Sequence, residues 1–249
     1  MVTADSTDAT TSVAGRATQV RERIDAACRA TGRDPSEVRL MAVTKTHGVE
    51  VLEEAYAAGL RLFGENRVPE LAEKAERLAG RPGLGWALIG HLQTNKVGKA
   101  LRSVSELHTL DSLRLAEALD RRLQEQGRGL DVFVQVNTSG EPAKTGLAPA
   151  DVESFVLGLA PFAALRVRGL MTLAVYSDDQ QAVGACFARL TELQRRLRQL
   201  DAAPGSYDEL SMGMSGDFEL AIAHGATTVR VGQTLFGARP PVTPAPAAP

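Results

Sequence analysis

Residues 39–48 read RLMAVTKTHG, a short apolar run that ends in polar residues. The run from Leu40 to Thr44 is typical of a buried β-strand, and Lys45 follows it directly. A lysine at the mouth of a buried strand is a candidate nucleophile, because lost hydration disfavours the ammonium and frees the amine. The alternative is an ordinary strand-end lysine whose stem reaches water. Partners elsewhere in the chain are needed to distinguish these two interpretations.

Strand-like runs of this kind recur along the chain and alternate with amphipathic, helix-like segments. The expected strands are Arg39–Thr44, Leu60–Phe63, Trp86–Ile89, Glu106–Leu110, Asp131–Asn137, Arg166–Leu173, Glu209–Ser211 and Thr227–Val231. Strict alternation of strand and helix indicates an α/β fold with parallel strands and crossover helices. Eight such units in one domain favour a closed (β/α)8 barrel, the TIM barrel, over an open doubly wound sheet.

The clearest helical patterns flank these strands. An extra helix at Ala17–Ala30 is expected before the first strand. A second, Asp111–Gln126, is expected to begin with Asp111 as its N-cap and to end before Gly127. A third, Gln180–Leu200, carries apolar residues at three- and four-residue steps.

The folded barrel domain is expected to span residues 16–239, because no linker or change of composition interrupts this stretch. Residues 1–15 have neither the basic start nor the apolar core of a secretory signal, and we expect a disordered tail. Residues 240–249 are rich in proline and alanine, which predicts an extended tail.

The composition excludes several classes of function. The chain has 28 basic and 30 acidic residues, which leaves no electrostatic footprint for nucleic acid. No apolar run approaches the roughly 18 residues of a membrane span. Cys28 and Cys186 lie far apart without metal-site spacing, and we expect buried, reduced thiols in a cytoplasmic protein. No heptad pattern is evident, so a monomer is expected.

A barrel places its chemistry at the carboxyl ends of the strands, and the unusual polar segments of this chain fall there. Lys45 follows the first strand, and Asn66 follows the second. Arg230 and Gly232 lie at the eighth. This coincidence favours a chemical role for Lys45.

Two of these segments are suited to a phosphate. SMGMSGD, residues 211–217, places Gly213, Ser215 and Gly216 immediately before a helix, and GQTLFG, residues 232–237, offers free backbone N–H groups at Gly232–Thr234. Helix N-termini attract anions, and the loops after strands seven and eight are the usual phosphate position in such barrels. A phosphate site beside a candidate Schiff-base lysine suggests a phosphorylated aldehyde. Pyridoxal 5′-phosphate (PLP) combines both groups.

Six ordered segments then carry a family resemblance over about Arg21 to Arg239. They are AVTKTHG, FGENRVPE, LIGHLQTNK, VNTSGEPAKTGL, RGLMTL and LSMGMSGDFELAIAHGATTVRVGQTLFGAR. Together they resemble the PLP homeostasis proteins (the YggS/PROSC family), whose fold resembles the barrel domain of bacterial alanine racemase. The resemblance implies that Lys45 forms an aldimine with PLP and that Asn66 lies beside the cofactor. It further implies that the phosphate is held by Met214, Ser215, Gly232 and Gln233, and that Arg230 faces the pyridine nitrogen.

Two of these positions affect the chemistry. In the family that this chain resembles, the place of Gln233 is more often Thr or Ser, which implies that a hydroxyl is lost from the phosphate site while the backbone N–H remains. Arg230 can only donate hydrogen bonds, so a pyridine nitrogen facing it stays unprotonated. The ring is then a weak electron sink, which argues against transamination and decarboxylation.

The predicted function is therefore to hold PLP as a lysine aldimine for intracellular PLP homeostasis, by buffering and delivery, without robust turnover. The expected ligands are PLP and amino acids, and the expected recipients are PLP-dependent apo-enzymes. The main alternative is a racemase-like PLP enzyme, which would need a second acid opposite the lysine. Tyr176 follows the sixth strand and could reach the rim, but we expect it to pack against its loop.

Two further alternatives stay open on the sequence. A Schiff-base aldolase without cofactor would use Lys45 and a nearby base. A metal-dependent hydrolase would use His47, His91 and His108, which fall near strand ends but lack paired ligand spacing. Lys144, after the fifth strand, is expected to be a solvent-exposed lysine rather than a second anion site.

Overall fold

The computed structural model describes residues 12–141, 144–200 and 204–237. Eight parallel strands pair in sequence order, and β8 pairs with β1 to close a barrel. The strands are β1 (Arg39–Val43), β2 (Leu62–Glu65), β3 (Gly85–Leu88), β4 (Glu106–Leu110), β5 (Leu130–Gln135), β6 (Leu165–Met171), β7 (Glu209–Ser211) and β8 (Thr228–Val231). The predicted (β/α)8 barrel is confirmed, with strand ends that differ from the expected ones by at most two residues.

Helices connect the strands on the outside of the barrel. Those of the described residues are α1 (Val13–Ala30), α2 (Val49–Ala57), α3 (Val68–Arg77), α4 (Val97–Ala100), α5 (Leu113–Glu125), α6 (Val152–Leu157), α7 (Gln180–Leu197), α8 (Phe218–Ala223) and α9 (Gln233–Phe236). Each strand is thus followed by a helix, as the right-handed crossover of parallel strands requires.

The extra N-terminal helix is present and longer than expected. Helix α1 begins at Val13 rather than Ala17, because the Ser12 hydroxyl accepts the Gly15 N–H at 3.1 Å and caps it. Its buried face packs against α2, α8 and α9, where the barrel closes. Residues 13–15, expected in the N-terminal tail, belong to this helix, and residues 1–11 and 240–249 of the predicted tails lie outside the described residues.

The expected start of α5 was wrong by one residue. The N-cap is Ser112, whose hydroxyl accepts the Leu115 N–H at 3.3 Å, and Asp111 stands before the helix. Both residue types cap helices well, so sequence alone does not choose between them. The helix ends at Glu125, and Gly127 takes a left-handed φ of 61° after it, as the sequence indicated.

Apolar and polar residues separate across the barrel wall. Outward-facing residues such as Phe63 and Trp86 pack edge to face, with ring centroids 5.4 Å apart, in the core between strands and helices. Arg39 of β1 instead crosses the interior to Glu106 of β4 at 2.7 Å and Glu209 of β7 at 2.9 Å. The amino-terminal end of the barrel is therefore closed by ion pairs.

Both cysteines, Cys28 on α1 and Cys186 on α7, are buried free thiols, as expected. Within the described part of the chain, no helix is both long and apolar enough to cross a bilayer.

Candidate functional site

The turn that carries Lys45 lies at the carboxyl end of β1. Lys45 is half-buried, between the buried Thr44 and the exposed Thr46. Thr46 adopts a left-handed φ of 70°, which a β-branched residue tolerates only when its surroundings enforce it. The lysine is therefore presented by a strained turn that neighbouring groups must hold.

Lys74, on the outer helix α3, stabilises this turn through hydrogen bonds. Its buried ammonium donates to the Thr44 carbonyl at 2.7 Å, to Glu65 at 2.6 Å and to Glu70 at 2.7 Å. The same Glu70 oxygen accepts the Thr46 N–H at 2.7 Å. Both backbone neighbours of the candidate nucleophile are thus tied to one buried cation.

The pKa values of the two carboxylates in this cluster are shifted in opposite directions. Burial raises the pKa of Glu65, although hydrogen bonds from Lys74 and Thr44 act against it. Burial also acts to raise the pKa of Glu70, but hydrogen bonds from Lys74 and Thr46 outweigh it and lower the pKa. Sequence reasoning missed this cluster, because Glu70 and Lys74 are spaced four residues apart, like any surface pair on a helix.

Arg230 of β8 lies buried inside the barrel. Its guanidinium donates to the Ser211 hydroxyl at 2.8 Å and to the Thr172 carbonyl at 2.7 Å. Burial lowers the pKa of Arg230 to about 10, with Asp217 acting in the opposite direction, so the group stays charged at neutral pH. Both hydrogen bonds go to neutral acceptors, which leaves the positive charge available to a ligand.

His108 extends the contacts of Ser211 across the barrel. Its ring lies 2.9 Å from the Ser211 hydroxyl through Nδ1 and 2.9 Å from Glu106 through Nε2, and it stacks on Phe133 at 4.0 Å between ring centroids. The sequence suggested His108 only as a metal ligand, whereas both ring nitrogens are engaged in hydrogen bonds.

The loops after β7 and β8 meet at Ser215. Its hydroxyl accepts the Gly232 N–H at 3.3 Å and the Thr234 N–H at 3.4 Å. A Cβ at Gly232 would lie 3.2 Å from the Val43 carbonyl oxygen, two residues before Lys45. The residue is small because β1 approaches closely. The Ser215 hydroxyl and the N–H groups of Gly232 and Thr234, which together we call the cradle, therefore adjoin the turn that carries Lys45. The sequence predicted backbone donors at Gly232–Thr234, and the N–H groups of Gly232 and Thr234 are the two that meet at Ser215.

The chain reversal before Ser215 needs glycine. Gly213 has a φ of 92°, and a Cβ there would lie 2.6 Å from the Cβ of Ala221. Asp217 accepts the Met214 N–H at 2.5 Å and fixes the loop that follows. Met214 itself is 39% exposed at the rim.

The remaining predicted residues lie at the same end of the barrel. Asn66 is exposed directly after β2, and Gln233 is exposed at the start of α9. Hydrogen bonds join Ser215 to Gly232 and Thr234, and a separate set of hydrogen bonds holds Arg230. Asn66, Met214 and Gln233 are exposed at this end and take no part in those hydrogen bonds.

Two expectations about the rim were wrong. Tyr176 is 98% exposed and does not pack against its loop. Lys144 is half-buried, because it donates to the Ala174 carbonyl at 2.9 Å and pairs with Glu141 at 2.6 Å. Its charge is therefore engaged locally.

The three histidines of the metal hypothesis each contact different partners. The rings of His47 and Phe236 are tilted by 39° with centroids 4.8 Å apart, and the exposed His91 lies 3.9 Å from Asp111. Among residues 12–141, 144–200 and 204–237, no three His, Cys, Asp or Glu side chains are grouped so that they could hold a metal ion.

Similarity to known proteins indicates the family of this chain. The family model described as "Alanine racemase, N-terminal domain" matches residues 17–240. A Pseudomonas aeruginosa protein named pyridoxal phosphate homeostasis protein is 42% identical over 91% of this chain and 96% of its own length. The human protein of that name is 40% identical over 88% of this chain and 84% of its own.

Solved structures give the same picture. PipY of Synechococcus elongatus PCC7942, solved with PLP bound, is 38% identical and superimposes with a TM-score of 0.79 over 90% of this chain and 100% of its own. An alanine racemase of Clostridium difficile shares the fold, with a TM-score of 0.65 and 15% identity over 91% of this chain and 56% of its own.

Proposed function

This chain belongs to the family of pyridoxal phosphate homeostasis proteins, within the alanine racemase N-terminal domain family, and on that premise we propose that it binds PLP at the carboxyl end of its barrel. The observation that carries the proposal is the convergence of two backbone N–H groups on Ser215, beside the β1 end that bears Lys45. An amine next to an anion-binding group suits an aldehyde that also carries a phosphate.

Lys45 is the residue we propose for the covalent link. Its amine condenses with the PLP aldehyde to form the C=N bond of an aldimine, and the aldehyde oxygen leaves as water. The turn held by Lys74 fixes the backbone on both sides of the lysine. A fixed backbone limits the orientations that the amine must sample before it reacts.

The phosphate is proposed to lie against Ser215 and the N–H groups of Gly232 and Gln233, with Thr234 as a further donor and Met214 at the edge. The hydrogen bonds that Gly232 and Thr234 make to Ser215 are long, 3.3 and 3.4 Å, so a phosphate oxygen competes well for these donors. Asn66 is proposed to lie beside the ring at the rim.

Arg230 is proposed to face the pyridine nitrogen. Because a guanidinium only donates, that nitrogen remains unprotonated and the ring withdraws electrons weakly. We therefore propose a carrier, which buffers PLP and delivers it to PLP-dependent apo-enzymes without robust turnover. We propose that it is a monomer. We also propose that it is cytoplasmic, because its two free thiols suit a reducing compartment.

The covalent assignment is tested by borohydride reduction of the PLP-loaded protein followed by peptide mapping. The pyridoxyl group is expected on Lys45. Lys144→Ala is the matched control and should leave the yield unchanged. Reproducible labelling of another lysine with Lys45 unmodified would refute the assignment.

A racemase-like activity is the alternative, because the fold is that of the alanine racemase barrel and Tyr176 is exposed at the rim. The loaded protein is incubated with L- and D-alanine in deuterated water, and the α-position is followed by NMR beside PLP transfer to an apo-aminotransferase. We expect transfer to outpace α-deuteration. Multiple turnovers of deuteration that disappear in Lys45→Ala and fall in Tyr176→Phe would establish the alternative.

A further inference from the structure

A chain of hydrogen bonds runs through the barrel interior from its amino-terminal end to Arg230. Glu106 lies 2.9 Å from Nε2 of His108, whose Nδ1 lies 2.9 Å from the Ser211 hydroxyl. Ser211 in turn accepts from Arg230 at 2.8 Å. The four residues come from β4, β7 and β8, and His108, Ser211 and Arg230 are buried.

The chemistry of the end groups leaves one arrangement of protons. Burial acts to raise the pKa of Glu106, but hydrogen bonds from His108 and Arg39 hold this pKa at about 2, so Glu106 is an ionised acceptor. Nε2 of His108 must then be the donor. Arg230 only donates, so Ser211 accepts from it and turns its own O–H towards Nδ1 of His108.

The histidine in this arrangement is neutral. Burial lowers the pKa of His108, with the bond to Glu106 acting in the opposite direction. Arg39 and Arg230 are the cations nearest to the ring, and Phe133 covers its face. Every donor therefore points from Arg230 towards Glu106, and a proton added to Nδ1 would reverse the bond to Ser211.

We propose that Glu106, His108 and Ser211 are positioning residues that fix the orientation of the Arg230 guanidinium towards the ring nitrogen of the cofactor. This inference rests on the proposed function, since the ring is that of PLP. The Ser211 hydroxyl accepts from one Nη of Arg230 and the Thr172 carbonyl accepts from the other. These two hydrogen bonds fix the plane of the guanidinium. A plane fixed in this way keeps its remaining N–H groups directed at one place.

A purely structural role would predict a different outcome. Polar groups buried in a barrel must be paired, and loss of any partner lowers stability whether or not a ligand binds. Only a positioning role makes the protonation of the ring nitrogen depend on Ser211 and His108, which are two and three hydrogen bonds away from it. The test therefore needs a readout on the nitrogen itself as well as on the free protein.

The first measurement uses the protein without PLP, labelled with ¹⁵N-histidine. The chain has only four histidines, so the His108 resonances are assigned by comparison with His108→Gln. We expect a neutral ring protonated at Nε2 at neutral pH, with a pKa below that of an ordinary histidine. A protonated ring, or the Nδ1–H tautomer, would overturn the proposed chain of donors even if PLP binds as proposed.

The second measurement loads wild type, Ser211→Ala and His108→Gln with PLP labelled with ¹⁵N at the ring nitrogen. We expect an unprotonated nitrogen in wild type, a resonance shifted towards the protonated range in both variants, and PLP release about tenfold faster. His91→Gln, an exposed histidine, is the matched control. Phe133→Leu disturbs the same layer without a hydrogen bond, and thermal unfolding shows that each variant is folded.

The outcomes separate the two proposals. Folded variants that bind PLP with a wild-type nitrogen resonance would overturn the positioning role and leave PLP binding intact. The same shift in Phe133→Leu would assign the effect to packing and also overturn it. Failure of wild type to bind PLP would refute the proposed function, while the tautomer measurement still judges the hydrogen-bonded chain.

Discussion

At the amino-terminal end of the barrel, Arg39 meets two carboxylates, Glu106 and Glu209, and also donates to Thr228 at 3.0 Å. At the carboxyl end, Arg230 is more deeply buried but donates to a hydroxyl and a carbonyl. Charges that neutralise one another stabilise the fold and have little left for a ligand. A charge held by neutral partners is fixed in place and still attracts an anion or a ring nitrogen.

The same strands serve both ends. β4 contributes Glu106 to the ion pairs, and β8 contributes Thr228 below and Arg230 above. Because side chains alternate along a strand, residues two apart share the interior and form successive layers. One set of strands therefore provides ion pairs at one end and the proposed binding site at the other, the usual division in this fold.

The largest effect is expected for Lys74→Met, which should sharpen the contrast by loosening the carboxyl end alone. The change leaves Glu65 buried without its cation and Thr46 strained without a fixed Glu70. We expect a loss of about 3–5 kcal/mol in the free energy of unfolding and slower reaction of Lys45 with PLP. Denaturant unfolding and stopped-flow absorbance measure the two effects.

Lys99→Met is the control, since it removes an exposed lysine from the neighbouring helix α4. It should change unfolding by less than about 0.5 kcal/mol. A Lys74→Met protein as stable as wild type, with unaltered PLP kinetics, would show that the cluster does not support the lysine turn.

Acid should act on the amino-terminal end. The pKa of Glu106 is depressed to about 2 in the folded protein from an ordinary 4.5, so its contribution to stability is complete above pH 4.5. That contribution, about 3 kcal/mol, should be lost as the pH falls from 4.5 towards 2. Unfolding of the PLP-free protein measured from pH 7 to 2.5 checks it.

In Glu106→Gln this part of the acid dependence should be absent, and the variant should be less stable than wild type at pH 7. If wild type and Glu106→Gln lose stability in parallel on acidification, the ion pairs at this end are not the source of the effect.

The smallest of these effects concerns the phosphate. Ser215→Ala removes the hydroxyl on which Gly232 and Thr234 converge, and we expect PLP to bind about tenfold more weakly, about 1.4 kcal/mol. Stability without PLP should hardly change, which would separate binding from folding at this end. Titration by calorimetry, with unphosphorylated pyridoxal as comparison, measures the loss. Equal affinity of wild type for PLP and pyridoxal would contradict the cradle.

Local patterns in the sequence predict the barrel and the residues at its rim. Apolar runs such as Leu40–Thr44 recur between amphipathic helices, and that alternation allows only parallel strands joined by crossovers. It also placed Lys45, Arg230, Ser215 and Gly232 at strand ends, because a polar or glycine-rich residue directly after an apolar run is visible locally. The structure places all four at the same end of the barrel, and their roles towards PLP stay predictions.

Which side chains act on these residues depends on contacts between distant parts of the chain. Lys74 reads as one of many helical lysines until folding buries it beneath Thr44, 30 residues earlier in the chain. His108 and Ser211 are 103 residues apart, and nothing in either neighbourhood indicates the other. Local patterns report hydrophobicity and turns, whereas such contacts depend on how strands from distant parts of the chain align around the barrel. The supports of the site are for that reason invisible in the sequence that specifies them.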